Sequence, residues 1–304
     1  MATSAIATST AKFLCGRVAI VTASTKGIGL AIARRLGLDG ASVVVSSRKE
    51  ENVKEAIRSL RMEGIDVDGV VAHVGKDDDR RRLIEFALER YGHLDILVSN
   101  AAVNPYHGDL LKVSESQWDK LLKINFCLRV CLAEVQIQCY ACLMVYEIDS
   151  YQSGKAQVVS AHPTSFSVRS AFLLTQEAVP HLEKTGNGNV VFVTSVAGYA
   201  PMEDIGAYSI MKSALNGINK AFSQSLAHRN IRVNAIAPGI IRTDFSKVLY
   251  ESPSTSNDTI RNIPLGRIGE ADECAGAVSF LVSDEASYMT GETIGIHGGI
   301  SSRM

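Results

Sequence analysis

The sequence predicts an α/β fold, namely a single doubly wound parallel sheet of about seven strands with helices on both faces. Short apolar runs rich in β-branched residues alternate with segments of helical periodicity. A glycine-containing turn follows the first of these runs. The 304 residues are 46% hydrophobic and 21% charged, so the chain can form a packed core and is not disordered as a whole.

The first third of the chain contains four predicted strands separated by three predicted helices. The strands cover residues 17–22, 42–47, 67–73 and 95–99, and the helices cover residues 30–36, 50–63 and 77–91. The second strand, SVVVSS, is nearly all apolar on both faces, as expected of a buried parallel strand. Helices and strands that alternate at this spacing indicate parallel crossover units.

Composition and charge argue against several classes of protein. The chain has 31 Lys and Arg against 32 Asp and Glu, a formal net charge of −1, whereas a nucleic-acid-binding protein normally carries a basic surplus. No stretch reaches the roughly 18 uninterrupted apolar residues that a membrane span needs. The N-terminus lacks the basic start and apolar core of a secretory signal, so the six cysteines indicate reduced thiols in an intracellular protein.

The turn after the first strand, TASTKGIG, has the features of a phosphate-binding loop. Its glycines allow the backbone to approach a pyrophosphate, and the next helix presents its positive N-terminus there. An ordinary glycine turn is the alternative, but the position after the first strand of a β-α-β unit favours a dinucleotide site. The candidate cofactor residues in this turn are Thr22, Ser24, Lys26, Gly27, Ile28 and Gly29.

The end of the second strand favours NADP(H) as the cofactor. An acidic residue about 20 positions after the glycines usually holds the 2′-hydroxyl of the ribose. Here Ser47 and Arg48 stand in that region and no acid does. A guanidinium, hydroxyls and the nearby Lys26 suit a 2′-phosphate, which an aspartate would repel. Two solvated surface cations are the alternative interpretation.

The candidate catalytic residues lie in the second half of the chain. Ser195 follows a buried strand predicted at residues 189–194, at the end of the strand where ligands gather in parallel sheets. Tyr208 and Lys212 are four residues apart and share one face of a helix. A nearby ammonium lowers the pKa of a phenol, so this pair can exchange a proton with a substrate oxygen while Ser195 hydrogen bonds it.

Together these motifs resemble the short-chain dehydrogenase/reductase family over residues 16–304, apart from one internal block. The turn matches the family pattern T-G-x-x-x-G-x-G, with Ala23 in place of the first glycine. The pattern N-N-A-G after the fourth strand appears as SNAA, residues 99–102. The resemblance implies a Rossmann-type domain in which Asn100 stabilises the central sheet and Ala101 borders the cofactor.

The resemblance also implies roles for residues farther along the chain. Tyr208 is implied to be the general acid, while Lys212 lowers its pKa and holds the nicotinamide ribose, and Ser195 polarises the carbonyl. Asn125 matches the asparagine that supports a proton-relay water. The segment PGIIRT matches the family segment after the sixth strand, which adds cofactor contacts at Pro238, Gly239, Ile241 and Thr243.

The implied activity is NADPH-dependent reduction of ketones or aldehydes, of the carbonyl- or retinal-reductase type, with reversible alcohol oxidation. Residues 244–262 resemble the variable substrate lid, where Phe245, Leu249 and Tyr250 supply apolar surface for a small apolar carbonyl substrate. The family also implies a homodimer or homotetramer. The rival hypothesis is a non-catalytic nucleotide-binding product.

That rival arises from residues 126–167, which the family pattern lacks. In the family, the pattern V-x-S-A-F-L-L-T-Q is expected directly after the position of Asn125. In this chain it occurs at residues 168–176. A retained intron or gene-model error, a genuine insertion, and a metal site are the three explanations. The metal site is disfavoured because the four cysteines of the block lie on an apolar stretch without a known zinc spacing, so we expect no metal.

The domain prediction is a flexible tail at residues 1–16 and a reductase domain at residues 17–304, interrupted by the block at residues 126–167. The C-terminal tripeptide Ser302-Arg303-Met304 resembles a peroxisomal address. The predicted location is therefore the peroxisome, with the cytoplasm as the alternative.

Overall fold

The computed structural model of the chain describes residues 12–102, 108–114, 117, 168–250 and 259–300. Within these ranges seven parallel strands form one sheet in the order β3-β2-β1-β4-β5-β6-β7. The strands are β1 (Val18–Val21), β2 (Ser42–Ser47), β3 (Val67–Val71), β4 (Ile96–Ser99), β5 (Gly188–Val193), β6 (Ile231–Pro238) and β7 (Thr293–Ile296). The predicted doubly wound parallel sheet is confirmed.

Helices cover both faces of this sheet, as the sequence predicts. They are α1 (Gly27–Leu38), α2 (Glu50–Met62), α3 (Asp77–Tyr91), α4 (Val168–Lys184), α5 (Gly206–Leu226) and α6 (Ala271–Val282). One hydrophobic core lies between the sheet and α1, α2 and α6, and the other lies between the sheet and α3, α4 and α5. Each crossover therefore buries its apolar face against the sheet.

The continuous apolar runs are explained by these two cores. Along β2, Val43 and Val45 point into the core of α1, α2 and α6, whereas Val44 points into the opposite core. Successive side chains of a strand face opposite sides of the sheet, so a strand covered by helices on both sides needs apolar residues at every central position.

The boundaries differ from prediction where the chain turns. Helix α1 begins at Gly27, three residues before the predicted start, because the glycine turn itself winds into the first helical turn. Residues 12–16, which the sequence assigns to the tail, pack on the domain: Leu14 is fully buried and its N–H donates to Asp39 O at 3.0 Å.

Several predicted features lie outside the described residues. These are Asn125, the block at residues 126–167, most of the N-terminal tail, and Ser302-Arg303-Met304. The predicted lid is described only in part, over residues 244–250 and 259–262. In the described portion of the chain, no helix is long and apolar enough to cross a membrane.

Candidate active site

The described candidate residues gather at the carboxyl ends of the strands, near the point where the strand order reverses. Strand β1 lies between β2 and β4, so the chain leaves β1 and β4 toward opposite sides of the sheet. In open parallel sheets the crevice at such a reversal is the usual ligand site. Because the strands are parallel, the chain leaves β1, β2, β4, β5 and β6 at this same end of the sheet.

The turn between β1 and α1 is tied to both neighbouring strands. Thr22 Oγ1 accepts hydrogen bonds from the N–H groups of Asn100 and Ala101, at 2.9 and 3.1 Å. The Ser24 hydroxyl donates to a carbonyl of β1 at 2.6 Å and accepts from the Ser46 N–H at 3.0 Å. Both hydroxyls are buried. Thr22 and Ser24 therefore shape the turn through bonds within the protein.

The glycines of the turn are required by close backbone contacts. A Cβ on Gly29 would lie 2.5 Å from the carbonyl oxygen of Ala23 and 2.5 Å from Asn100 Nδ2. Gly27 has a φ of +55°, and Ala23 has a φ of +49° although it is not glycine. The backbone of Gly27, Ile28 and Gly29 forms the first turn of α1, whose N-terminal N–H groups suit a pyrophosphate. The turn thus fits a dinucleotide.

The end of β2 carries the predicted 2′-phosphate residues. Ser47 is the last residue of the strand, and the exposed Arg48 follows it. The pKa of His73, beyond the end of β3, is lowered first by burial and then by the charge of Arg48. His73 therefore lies near Arg48, although no sequence motif assigns it a role.

The segment after β6 forms the opposite wall of the crevice. Gly239 donates its N–H to Ile296 O at 2.9 Å, and a Cβ on Gly239 would lie 2.8 Å from the Cα of His297. Ile241 is buried and forms an isolated bridge with Gly269. A Cβ on Gly27 would lie 3.2 Å from the Thr243 methyl group. The PGIIRT segment therefore contacts the phosphate-binding turn directly.

Ser195 lies two residues beyond the end of β5 and begins a 3₁₀ turn, Val196–Gly198. Its Oγ accepts a hydrogen bond from the Ala197 N–H at 3.1 Å, which fixes the side-chain position. A Cβ on Gly198 would lie 2.8 Å from the carbonyl carbon of Lys212. The missing side chain at Gly198 therefore allows this turn to pack against α5.

Helix α5 carries Tyr208 and Lys212 into the same buried region. Their relative exposures are 8% and 2%. Lys212 Nζ donates to Val193 O at 2.8 Å and lies 5.5 Å from the centroid of the Tyr208 ring. The Ser195 hydroxyl lies close enough to the Tyr208 phenol to lower its pKa. The structure thus brings together three of the four residues that the sequence predicts to be catalytic, and the fourth, Asn125, lies outside the described residues.

The protonation states of this group follow mainly from burial. Burial raises the pKa of Tyr208 to about 12, although the hydrogen bond with Ser195 lowers it. Burial lowers the pKa of Lys212 to about 7, because it disfavours the ammonium. Burial and Ser195 account for the shift of the Tyr208 pKa, and the charge of Lys212 is not among its causes.

The described part of the predicted lid contacts Tyr208 through Phe245. The Phe245 ring lies 5.8 Å from the Tyr208 ring, centroid to centroid, at an interplanar angle of 45°. Phe245 remains half exposed. The Tyr250 hydroxyl donates to Thr243 O at 2.7 Å, which ties the segment to the wall of the crevice. An apolar ring therefore lies beside the buried Tyr208.

Sequence reasoning passed over one charged residue of this region. Asp244 follows the PGIIRT segment directly, and its Oδ2 lies 3.8 Å from Lys26 Nζ. Only its position next to Thr243 could have drawn attention to it, because ion pairs between distant loops leave no local pattern. Among the described residues, no group of three or more His, Cys, Asp or Glu side chains is arranged to hold a metal ion.

Two family profiles match the chain. The profile described as short chain dehydrogenase matches residues 17–137, and the profile described as Enoyl-(Acyl carrier protein) reductase matches residues 157–301. The break between the two matches falls inside the block at residues 126–167.

Curated relatives and solved structures are similar over nearly the whole chain. Dehydrogenase/reductase SDR family member 4 of Oryctolagus cuniculus is 45% identical, over 96% of this chain and 96% of that protein. The Homo sapiens protein of the same name is 43% identical, over 96% of this chain and 90% of its own length. The crystal structure of gox2181 has a TM-score of 0.78 and 27% identity, over 96% of this chain and 98% of that one.

Proposed function

The chain belongs to the short-chain dehydrogenase/reductase family, and from this premise we propose that it reduces apolar ketones and aldehydes with NADPH. The proposed activity is of the carbonyl- or retinal-reductase type, and in reverse it oxidises the alcohol. Membership of the family makes the chain an oxidoreductase that uses a nicotinamide cofactor. The substrate class and the preference for NADPH are our proposal.

The observation that carries this proposal is the arrangement of Ser195, Tyr208 and Lys212. A phenol whose pKa is raised to about 12 is protonated at neutral pH, as a general acid for carbonyl reduction must be. Tyr208 donates this proton to the carbonyl oxygen, and Ser195 hydrogen bonds the same oxygen. Lys212, with a pKa of about 7, can return a proton toward the phenol. The nicotinamide, when bound, supplies the hydride.

The remaining candidate residues hold the cofactor in this proposal. The pyrophosphate is bound by the backbone N–H groups of Gly27, Ile28 and Gly29. That turn is kept in place by Thr22, Ser24, Asn100 and Ala101.

The opposite wall of the crevice lies beside the nicotinamide. It is formed by Pro238, Gly239, Ile241 and Thr243. Asn125, which lies outside the described residues, is proposed to support a proton-relay water.

Ser47, Arg48 and Lys26 support NADP(H) as the cofactor. Arg48 is exposed at the end of β2, where it can bind a 2′-phosphate through a planar, bidentate guanidinium. Replacing Arg48 with Glu should therefore weaken NADPH binding and leave NADH binding nearly intact.

Replacing Tyr208 with Phe tests the catalytic assignment. The ring and its contact with Phe245 remain, but the proton donor is lost, so we expect NADPH oxidation with a panel of apolar ketones, aldehydes and retinal to fall by at least about a hundredfold. NADPH affinity, measured by calorimetry, should stay within about twofold. Retained turnover would show that another group is the acid.

The rival function is a nucleotide-binding product without catalysis. The break between the two family matches supports this rival function, since it lies in the block that separates Asn125 from the family continuation expected directly after it. We further propose that the protein forms a homodimer or homotetramer and enters the peroxisome through Ser302-Arg303-Met304.

A further inference from the structure

Lys26 and Asp244 join the two walls of the proposed cofactor crevice. Lys26 lies in the phosphate-binding turn, directly before the first residue of α1, and Asp244 directly follows the PGIIRT segment. Lys26 Nζ lies 3.8 Å from Asp244 Oδ2, and the two side chains are 64% and 81% exposed. The Thr243 methyl group lies against Gly27 beside this pair, so the ion pair forms where the two segments already touch.

The two cations proposed for the 2′-phosphate therefore have different surroundings. Within the described residues, Arg48 forms no ion pair with a carboxylate, whereas Lys26 has a carboxylate within ion-pair distance. A phosphate that binds Lys26 must compete with the carboxylate of Asp244 for the ammonium. NADH, which has no 2′-phosphate, does not depend on this competition.

We propose that Asp244 is a specificity-determining residue that reduces the preference of this protein for NADPH over NADH, because it draws Lys26 away from the 2′-phosphate. The inference rests on the proposed function, since it assigns Lys26 to the 2′-phosphate. Arg48 then supplies most of the discrimination between the two cofactors. The charge of Asp244 is what matters, because its carboxylate competes with the phosphate for the same ammonium.

The test is calorimetric titration of the full chain with NADPH and NADH, so the readout is binding and not turnover. An exposed ion pair is worth about 0.2–1 kcal/mol, so Asp244→Asn should tighten NADPH binding about 1.4- to 5-fold. NADH binding should not change. The gain should shrink as salt is raised, because the pair is exposed and screened.

Two further variants isolate the cause. Glu292→Gln breaks a comparable exposed pair with Lys220 (3.4 Å, side chains 62% and 51% exposed) far along the chain, and it should change neither affinity. In a Lys26→Met background, Asp244→Asn should no longer tighten NADPH binding, because the competition has lost its cation.

Three results would overturn the inference: equal changes for NADPH and NADH in Asp244→Asn, unchanged or weaker NADPH binding, or the same gain in the Lys26→Met background. Any of these leaves the proposed reductase function intact if the unmodified protein binds NADPH. Failure of the unmodified protein to bind either cofactor would overturn the proposed function together with this inference.

Discussion

Ala23 occupies a backbone conformation that favours glycine. Its φ is +49°, and it stands where the family pattern has the first glycine of the turn. A left-handed conformation costs an L-residue about 1–2 kcal/mol, whereas glycine adopts it freely. The turn keeps this conformation because Asn100 Nδ2 donates to the carbonyl oxygens of Thr22 and Ala23, at 3.0 and 3.1 Å.

Replacing Ala23 with Gly should therefore stabilise the fold. The relief of strain exceeds the roughly 0.4–1 kcal/mol that glycine costs through the greater freedom of the unfolded chain, so we expect a net gain of about 0.5–1 kcal/mol. Urea unfolding measures the change. Ala33→Gly, in the buried middle of α1, is the control and should destabilise by about 1 kcal/mol. A loss of stability in Ala23→Gly would contradict the strain argument.

The buried Lys212 predicts how stability depends on pH. Its pKa is about 7 in the folded protein, below the ordinary 10.5, so the unfolded chain binds more protons between these values. Stability should therefore rise with pH above 7, by at most about 1.4 kcal/mol per pH unit. Burial raises the pKa of the Cys274 thiol to about 12, which opposes this trend above pH 9.

The useful window is thus pH 7 to 9, and urea unfolding at several pH values in that range tests the prediction without added cofactor. Lys212→Met removes the titrating group and keeps much of its apolar stem, so the slope should flatten in this variant. An equal slope in both proteins would assign the dependence to other groups.

At the scale of elements, β3 is an edge strand whose outward polar groups are covered by side chains. The outward carbonyl oxygen of Val67 accepts from Arg61 Nε at 3.1 Å, and that of Val71 accepts from an Arg82 terminal nitrogen at 2.7 Å. Asp68 Oδ1 accepts from the Gly69 N–H at 2.9 Å. Charged side chains on an edge discourage pairing with a strand of another molecule.

Replacing Arg82 with Ala should increase self-association, because it removes a charge and frees the Val71 carbonyl at the edge. The neighbouring Arg81 is the matched control: it is also exposed and pairs with an acid three residues earlier, but in the structure it contacts no edge carbonyl. Light scattering over a range of concentrations should show larger particles for Arg82→Ala only. The same behaviour in both variants would point to net charge as the cause.

At the scale of the whole molecule, the block at residues 126–167 separates two halves that pack on one sheet. Strand β4 precedes the block and pairs with β5, and α4, which follows the block, packs in the core against that sheet. Within the described residues, the sheet and its helices thus form one layered core from segments on either side of the block.

A variant without residues 126–167 should therefore fold and oxidise NADPH with apolar ketones, aldehydes or retinal at least as fast as the full chain. Activity in both proteins would mean that the block is tolerated. Activity in the deletion variant alone would mean that the full chain is a disabled form. Absence of activity in both, with a folded protein, would contradict the proposed reductase function.

Much of this molecule was predictable from local patterns. The glycine turn, the apolar runs and the helical segments predict the strand–helix order, because each depends on residues adjacent in the chain. The spacing of Tyr208 and Lys212 predicts a shared helix face, and the position of Ser195 after a strand predicts the edge of the sheet. The structure brings these three residues together as expected.

The fold class, the glycine turn and the identity of Ser195, Tyr208 and Lys212 follow from the amino-acid sequence, since local periodicity and motifs are enough to indicate them. Properties that depend on distant neighbours follow only from the folded arrangement. Burial, and not the Lys212 charge, sets the pKa of Tyr208, because the sheet and α5 exclude water from both groups. Likewise the pairing of Lys26 with Asp244 exists only because parallel strands bring loops more than 200 residues apart to one edge.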